Sequence, residues 1–252
     1  PDFIFVTARI MIDKFRKTPL PWRLLLALGI EVLYAISTRS WLDGYATGIE
    51  LELYVSAVRA ISALVYLVLF QDIIYSRTSR QVSSKHPSLW LGMLVVCLAP
   101  IVAGDWALPD QKTQLVFAAT SLVVSIREEV LYRGVLQNVL EQRLGWWGAI
   151  IITNIIFTLY HYGAWPFTAQ NVLEFFFVGG LVSILYWATG SLLLPIVFHA
   201  FYDALWCFTP IHVSPWAWGW GAGAQVLGVI ILLVWVLKSV NANHHATTAQ
   251  VR

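Results

Sequence analysis

Residues 172–208 have the sequence VLEFFFVGGLVSILYWATGSLLLPIVFHAFYDALWCF. This run predicts two apolar helices, at 172–189 and 191–208, each of spanning or near-spanning length for a lipid bilayer. Further apolar stretches on either side of this run cover about 22–38, 53–75, 88–104, 113–131, 146–162 and 216–237. The sequence therefore predicts an all-α, polytopic membrane helix bundle with about eight transmembrane helices.

The composition agrees with a chain whose solvent is lipid. Of 252 residues, 58% are hydrophobic and 12% are charged, against about 45–50% and about 25% in soluble domains. The formal net charge of +2 offers no basic surface for nucleic acid, and 13 Trp and 10 Tyr suit two membrane interfaces. Cys97 and Cys207 lie in apolar stretches, without the spacing of a disulfide framework or a cysteine metal site. We expect the lipid bilayer as a partner, and no nucleic acid.

Positive charge predicts the orientation of the chain. Residues 1–17 mix apolar with basic residues and predict an N-terminal interfacial helix, and no signal peptide, ahead of the first span. With the amino terminus inside, Arg39 and Lys112 are the two basic residues in outer loops. The inner face then collects Arg9, Lys14, Arg16, Lys17, Arg23, Arg77, Arg80, Lys85, Arg143, Lys238 and Arg252. This asymmetry predicts that both termini are cytoplasmic.

We expect the membrane to be the bacterial cytoplasmic membrane. The start at Pro1 indicates a processed form or a piece of a longer product.

Ionisable residues inside three spans need an explanation, because a charge at the bilayer centre costs at least about 2.5–3.5 kcal/mol on insertion scales. In the fourth span, spacing of i, i+4 pairs Glu129 with Arg133, whereas Glu128 faces Tyr132 and has no counter-ion. The fifth span ends at His161. The seventh span carries His199 and Asp203, again at i, i+4. Each group taken singly also fits a structural salt bridge or hydrogen bond; the three spans together favour a reactive site.

Such a set predicts hydrolysis inside the membrane. A glutamate in an apolar bundle, beside a neutral histidine, can take a proton from water and so create a nucleophile. A second histidine, held by its i+4 partner, can stabilise the developing oxyanion. The sequence has no His-Glu-x-x-His zinc motif and no Gly-x-Ser-x-Gly turn, and Tyr202-Asp203 is half of an intramembrane aspartyl dyad without its second half. A metal ion on His161, His199 and a glutamate is compatible with these residue types.

Three motifs, in this order and in successive spans, resemble those of the CPBP family, the CAAX proteases and bacteriocin-processing enzymes also called the Abi family. They are Glu128-Glu129-x-x-x-Arg133 for EExxxR, Phe157-x-x-x-His161 for FxxxH, and His199-x-x-x-Asp203 for HxxxN/D. Each motif is weak alone, and the combination is specific. The resemblance covers about 113–208, and the first three spans have no such match.

The resemblance implies a glutamate intramembrane endopeptidase in which Glu128 and His161 activate water. It implies that His199 and Asp203 form the oxyanion side. Asp203 stands where the eukaryotic prenyl-protein proteases have asparagine and cannot donate an amide N–H, so either His199 alone is the donor or Asp203 only fixes its tautomer.

By the same resemblance, Glu129 and Arg133 hold the site together. The chain then divides into 1–112, with the interfacial helix and three spans, a catalytic core at 113–208, and 209–252, with the last span and a cytoplasmic tail. We expect a membrane-embedded protein or peptide as substrate, with no cofactor and no metal. Two alternatives stay open, namely a non-catalytic membrane immunity or partner-scaffold protein, and the same hydrolysis by a metal-dependent mechanism. A transporter is a weaker third, because inverted repeats are not evident.

Overall fold

The computed structural model describes residues 10–38, 48–76, 87–103, 111–162, 167–208, 223–235 and 238. Its regular elements are helices. In chain order they are α1 Ile10–Arg16, α2 Leu20–Ile36, α3 Gly48–Leu69, α4 Gln71–Ile74, α5 Pro87–Ala103, α6 Gln111–Glu128, a π-helical segment Glu129–Gln137, α7 Asn138–Tyr160, α8 Ala169–Thr189, α9 Leu193–Cys207 and α10 Gly223–Trp235. The all-α expectation is confirmed.

In the described residues each of the eight apolar stretches overlaps a helix, but fewer helices have the length and composition of a complete span. Within the described residues, Gly48–Leu69 and Asn171–Thr189 are long and apolar enough to cross a membrane. A third span results if Ile10–Arg16 and Leu20–Ile36, which meet at a bend of 114°, are counted together. Shorter apolar helices are Leu89–Leu98, Leu193–Cys207 and Gly223–Trp235. The count of eight spans is therefore not confirmed.

Two local features explain the difference for α6 and α7. The helix α6 carries Lys112, Arg127 and Glu128, so it is too polar to count as a span by composition. The helix α7 breaks at Gly145, whose φ of 69° and ψ of 175° are left-handed, extended values that glycine adopts at little cost. Residues 138–144 and 146–160 are thus two helices, which matches the predicted boundary between the fourth and fifth spans.

Several expectations fall on residues outside the described ranges. Residues 1–9 of the expected interfacial helix and most of the expected tail, 239–252, are among them. So are the basic residues Arg9, Arg39, Arg77, Arg80, Lys85 and Arg252. The orientation of the chain and its division at 112 and 208 stay predictions.

Large apolar side chains face outward along several helices. Leu33 on α2, Leu64 on α3 and Leu193 on α9 are 68%, 61% and 70% exposed. Rows of such residues on a soluble monomer would form an unusually large apolar surface. They suit helices that meet lipid.

Two apolar clusters pack the helices around the polar residues. One joins α5, α8, α9 and α10 through Leu89, Leu185, Phe198 and Leu232. The other joins α2, α3, α4, the π-helical segment and α7 and includes Phe157. The helix α6 packs chiefly on α9 and α3, and α7 packs on α8. This arrangement brings the fourth, fifth and seventh predicted spans together.

The helix from Gln111 continues beyond 131, the end of the fourth predicted span, as a π-helix over Glu129–Gln137. Hydrogen bonds run from residue i to i+5 in such a turn, so side chains leave it in directions that a regular helix does not offer. Nδ2 of Asn138 donates to the carbonyl of Gly134 at 2.8 Å and to the hydroxyl of Tyr186 at 2.8 Å. The π-helical segment is therefore braced against α8 at its carboxyl end, where Asn138 follows Gln137.

Candidate active site

Two buried carboxylates mark the junction between α6 and the π-helical segment. Glu128 is the last residue of α6 and Glu129 is the first of the π-helix. Glu129 is 0% exposed and Glu128 is 7% exposed. A buried carboxylate needs partners or a chemical role, and the two residues differ in this respect.

Each carboxylate oxygen of Glu129 lies beside a basic side chain, although Oε2 forms no hydrogen bond. Its Oε1 lies 2.7 Å from Nδ1 of His199, and its Oε2 lies 3.2 Å from Nε of Arg133. The Arg133 guanidinium also donates from Nη2 to the carbonyl of Gly179, at 2.8 Å. The pair of Glu129 and Arg133 that the spacing predicts is present, and it ties the π-helix to α8 and α9.

Gly179 is required where Arg133 reaches α8. A Cβ added to Gly179 would lie 2.9 Å from Oδ1 of Asn154, 3.1 Å from Cδ1 of Phe157 and 3.3 Å from Nη2 of Arg133. Real Cβ atoms do not approach other atoms this closely without a shift of their neighbours. The absent side chain lets the guanidinium reach the backbone.

His199 contacts carboxylates through both ring nitrogens. Its Nδ1 faces Glu129, and its Nε2 lies 3.3 Å from Oδ2 of Asp203 and 3.9 Å from Oε2 of Glu128. A neutral imidazole has one N–H, so two carboxylate contacts require a protonated ring or a proton on one of the acids. The expected pair of His199 and Asp203 is present, but Glu129 and not Asp203 is on Nδ1. The cluster therefore favours a His199 that carries a proton on Nε2.

Glu128 has no complete set of partners. Its Oε2 is buried and has no hydrogen-bond partner among the residues that the structure describes. The 3.9 Å to His199 is too long for a hydrogen bond. An unsatisfied buried polar atom costs about 1–3 kcal/mol, more when it is charged, and such atoms call for a functional explanation. Oε2 of Glu129 also lacks a hydrogen bond, so the two glutamates differ in the distance from Oε2 to the nearest basic nitrogen, which is 3.2 Å to Arg133 for Glu129 and 3.9 Å to His199 for Glu128.

His161 approaches the cluster from the end of α7. Its Nδ1 lies 2.8 Å from the carbonyl of Phe157, and since a carbonyl only accepts, Nδ1 carries the hydrogen and Nε2 is free to accept. The ring stacks on Phe175 with centroids 4.2 Å apart. The ring of Phe157 lies 4.7 Å from that of His161 and 6.3 Å from that of His199. Phe157, the aromatic residue of the second motif, thus lies between the rings of His161 and His199 and contacts both.

The predicted site residues divide by the kind of contact they make. Direct side-chain contacts join Glu128, Glu129, Arg133, His199 and Asp203. His161 is connected to them through the ring of Phe157, which also lies under the Arg133 guanidinium at 4.7 Å.

Further ionisable groups lie in helices that the motifs do not cover. Glu31 on α2 binds Arg127, Glu52 and Arg59 on α3 form an ion pair at 2.7 Å, and the hydroxyl of Tyr202 donates to Glu174 on α8 at 2.7 Å. The view that the ionisable groups concentrate in three spans is therefore incomplete. The criterion that identified the three spans, an ionisable residue inside an apolar stretch, also identifies these residues when it is applied to the remaining helices.

The geometry also bears on the metal alternative. In the described part of the chain, no group of three or more His, Cys, Asp or Glu residues is arranged to hold a metal ion. The two nitrogens of His199 face carboxylates that compete for its protons. The expectation of a metal-free site stays a prediction.

Comparison with known proteins covers the same segment as the motifs. Residues 110–205 match the family model described as type II CAAX prenyl endopeptidase Rce1-like. The chain is also similar to an uncharacterized 24.3 kDa protein of Escherichia coli, with 32% identity over 100 residues that make up 38% of this chain and 43% of that protein. The match therefore spans less than half of the relative's length. No solved structure matches the chain. The resemblance that the three motifs carry is confirmed over residues 110–205, which match the Rce1-like family of type II CAAX endopeptidases.

Proposed function

We propose that this chain is an intramembrane endopeptidase that hydrolyses a peptide bond of a membrane-anchored protein or peptide. The observation that carries the proposal is Glu128, a buried carboxylate with an unpartnered oxygen 3.9 Å from a histidine, in a segment that matches an endopeptidase family. A purely structural acid at this depth would be expected to have a counter-ion, as Glu129 has.

In the proposed reaction Glu128 is the base and water is the nucleophile. Glu128 takes one proton from water, and Nε2 of His161 accepts a hydrogen bond from the same molecule and so orients it. The hydroxide oxygen forms a bond to the peptide carbonyl carbon, and the carbonyl oxygen becomes an oxyanion. Glu128 then returns its proton to the leaving nitrogen, and the C–N bond breaks. The carbonyl bond re-forms and the products are a carboxylic acid and an amine, which become a carboxylate and an ammonium group when the acid proton moves to the amine.

His199 is the proposed oxyanion donor. Glu129 on Nδ1 and Asp203 beside Nε2 both favour the protonated ring, which can donate from Nε2 to the developing charge. In this scheme Asp203 does not need the amide N–H of asparagine, since it acts on the proton of His199. Arg133 acts behind Glu129 and keeps that carboxylate directed at His199.

We infer the setting from the helices and the charge pattern. The protein is proposed as a bundle of about eight spans in the bacterial cytoplasmic membrane, with both termini cytoplasmic and its catalytic core at 113–208 between an N-terminal part, 1–112, and a last span. Terminal reporter fusions test the orientation, and a periplasmic signal at either end contradicts it.

The substrate follows from where the site lies. The matching family is named as CAAX prenyl endopeptidases. A lipid-anchored or membrane-embedded peptide is the class of substrate that can reach a site buried among apolar helices. We propose the substrate at that level, a membrane-anchored chain.

The test compares protein termini in cells that normally make this protein, after deletion of its gene. Cells are complemented with the wild-type chain, with Glu128→Gln or with Glu50→Gln, a change of the same kind at an exposed residue at the start of α3. New amino and carboxyl termini of membrane and secreted proteins are then quantified by mass spectrometry. We expect at least one terminus that depends on the wild-type chain, persists with Glu50→Gln and disappears with Glu128→Gln. Identical termini in all strains would overturn the proposal.

A further inference from the structure

Arg127 is a buried hub that none of the three motifs contains. It is 1% exposed. Its Nη2 contacts both oxygens of Glu31 at 2.5 and 2.6 Å, its Nε donates to Oγ of Ser62 at 3.1 Å, and its Nη1 donates to the hydroxyl of Tyr160 at 3.2 Å. The guanidinium also lies 3.7 Å from the centroid of the Tyr34 ring. One side chain thus joins α2, α3, α6 and α7.

The hydrogen bond between Arg127 and Tyr160 joins two residues that are adjacent in sequence to Glu128 and His161, the residues proposed to activate water. Arg127 directly precedes Glu128 in α6, and Tyr160 directly precedes His161 at the end of α7. Successive residues of a helix point about 100° apart, so Arg127 and Tyr160 lie behind the catalytic side chains and do not need to touch the substrate. A contact between them fixes the relative position of the two backbone points that carry Glu128 and His161.

Glu31 is the group that holds the hub in place. It lies on α2, outside the segment 110–205 that matches the endopeptidase family. Its side chain is 14% exposed, and its Oε1 also accepts from the hydroxyl of Tyr66 at 2.6 Å. Both Glu31 oxygens contact the same nitrogen, Nη2 of Arg127, and such charge-assisted hydrogen bonds are about twice as strong as those between neutral groups.

We propose that Glu31 is a positioning residue for hydrolysis, which orients Arg127 and thereby sets the distance between Glu128 and His161. The inference rests on the proposed function, because that distance matters if these two residues act on one water molecule. The N-terminal part of the chain then contributes to the reaction through α2, which carries Glu31. The reacting groups themselves all lie on other helices.

Two variants and one matched control test the proposal on the full chain in lipid nanodiscs and in complemented cells. Glu31→Gln removes the charge that holds Arg127, and Tyr160→Phe removes only the link from Arg127 to α7 while its ring stays. The control is Asp72→Asn, which breaks another two-point arginine contact of α2, with Arg23, at 2.6 and 2.8 Å. Among the described residues, the Asp72 side chain forms its hydrogen bonds and ion pair with Arg23, and none with the hub or the site.

The first measurement does not depend on a substrate. Spectra of ¹⁵N-histidine-labelled protein contain the ring signal of His161, assigned by its loss in His161→Gln. We expect this signal to move or split in Glu31→Gln and in Tyr160→Phe, and to match the wild type in Asp72→Asn. A general loss of stability would not move the His161 signal alone. An unchanged His161 signal in Tyr160→Phe, or in folded Glu31→Gln, overturns the inference.

The second measurement is the rate at which the wild-type-dependent termini appear. Misplacing a reacting group by about 1 Å can cost about 100-fold in rate, and we expect a loss of at least about 10-fold in Glu31→Gln and a smaller loss in Tyr160→Phe. Termini that Glu128→Gln abolishes but Glu31→Gln forms at the wild-type rate would contradict the role of Glu31 and leave the proposed function intact. Termini unaffected by Glu128→Gln would contradict the proposed function, and the histidine signal would still decide the position of His161.

Discussion

Nδ1 of His199 lies 2.7 Å from Oε1 of Glu129, although 70 positions separate the two residues in the chain. This hydrogen bond joins the first motif to the third and decides which nitrogen of His199 faces the rest of the site. Nε2 is left facing Asp203 and Glu128. The two glutamates of the motif therefore differ in their contacts with His199, since Glu129 is hydrogen-bonded to Nδ1 and Oε2 of Glu128 lies 3.9 Å from Nε2.

Arg133→Ala should destabilise the protein. The change leaves Glu129 buried without its cation and removes the donor to the Gly179 carbonyl. Breaking a buried ion pair by removing one partner costs about 3–5 kcal/mol. We expect a lower unfolding temperature in detergent and lower abundance in membranes than for Glu128→Gln. Wild-type thermal stability of the Arg133→Ala protein would contradict a structural role for this pair.

Gly179→Ala should disturb the site, and Gly180→Ala provides a matched control one residue away. The added Cβ at Gly179 meets three groups at 2.9–3.3 Å, whereas the one at Gly180 meets Asn154 at 3.6 Å, an ordinary contact. Overpacking costs about 1–3 kcal/mol, and alanine is about 1 kcal/mol better than glycine within a helix. Thermal unfolding should therefore show Gly179→Ala below the wild type and Gly180→Ala at or above it. The reverse order would contradict the close packing of α8 on Arg133.

Asp72 should make stability depend on acid pH. This carboxyl lies on α4, beyond the end of the span Gly48–Leu69. Burial alone would raise its pKa, but the hydrogen bond and the charge of Arg23 outweigh burial, so its pKa lies below the ordinary value. A lowered folded-state pKa stabilises the fold above the unfolded value of about 3.9, and this contribution disappears as pH falls through the folded pKa.

The measurement is thermal unfolding between about pH 6 and about pH 3, a range that brackets the unfolded carboxyl pKa. We expect the difference between wild type and Asp72→Asn to be constant at the upper end and to shrink toward the lower end. A difference that does not change with pH would show that Asp72 contributes no charge-dependent stability.

Chelation should leave activity unchanged. Glu129 holds Nδ1 of His199, and carboxylates beside Nε2 favour a proton there, whereas a metal-bound histidine offers a lone pair. Purified protein treated with a chelator should keep its cleavage rate and contain no stoichiometric zinc by elemental analysis. Activity that is lost on chelation and restored by one equivalent of a metal would favour the metal-dependent alternative.

Local contacts of the site could be predicted from the sequence, because helix geometry alone determines them. Glu129 with Arg133 and His199 with Asp203 are pairs four residues apart, and both are present. The break at Gly145 was likewise predictable as the boundary between two apolar stretches.

Contacts between distant helices could not be predicted in this way. Glu129 and His199 are 70 positions apart and Glu31 and Arg127 are 96 apart, and no local rule states which helices become neighbours. The π-helical segment likewise could not be predicted from local rules. The spacing rules applied to Glu128 and the following residues assume a regular helix, whereas the π-helix ends at Asn138, whose side chain donates to groups on two other elements.

The most direct measurement is the rate of cleavage by purified protein in lipid vesicles. The probe is the membrane protein whose terminus changes in cells, reconstituted with the wild-type chain, with Glu128→Gln or with Glu50→Gln. General acid–base catalysis contributes about 10²–10⁴-fold, so Glu128→Gln should lose at least about 100-fold at unchanged thermal stability, and Glu50→Gln should cleave like the wild type. Cleavage at the wild-type rate by folded Glu128→Gln would contradict the assignment of Glu128 as the base.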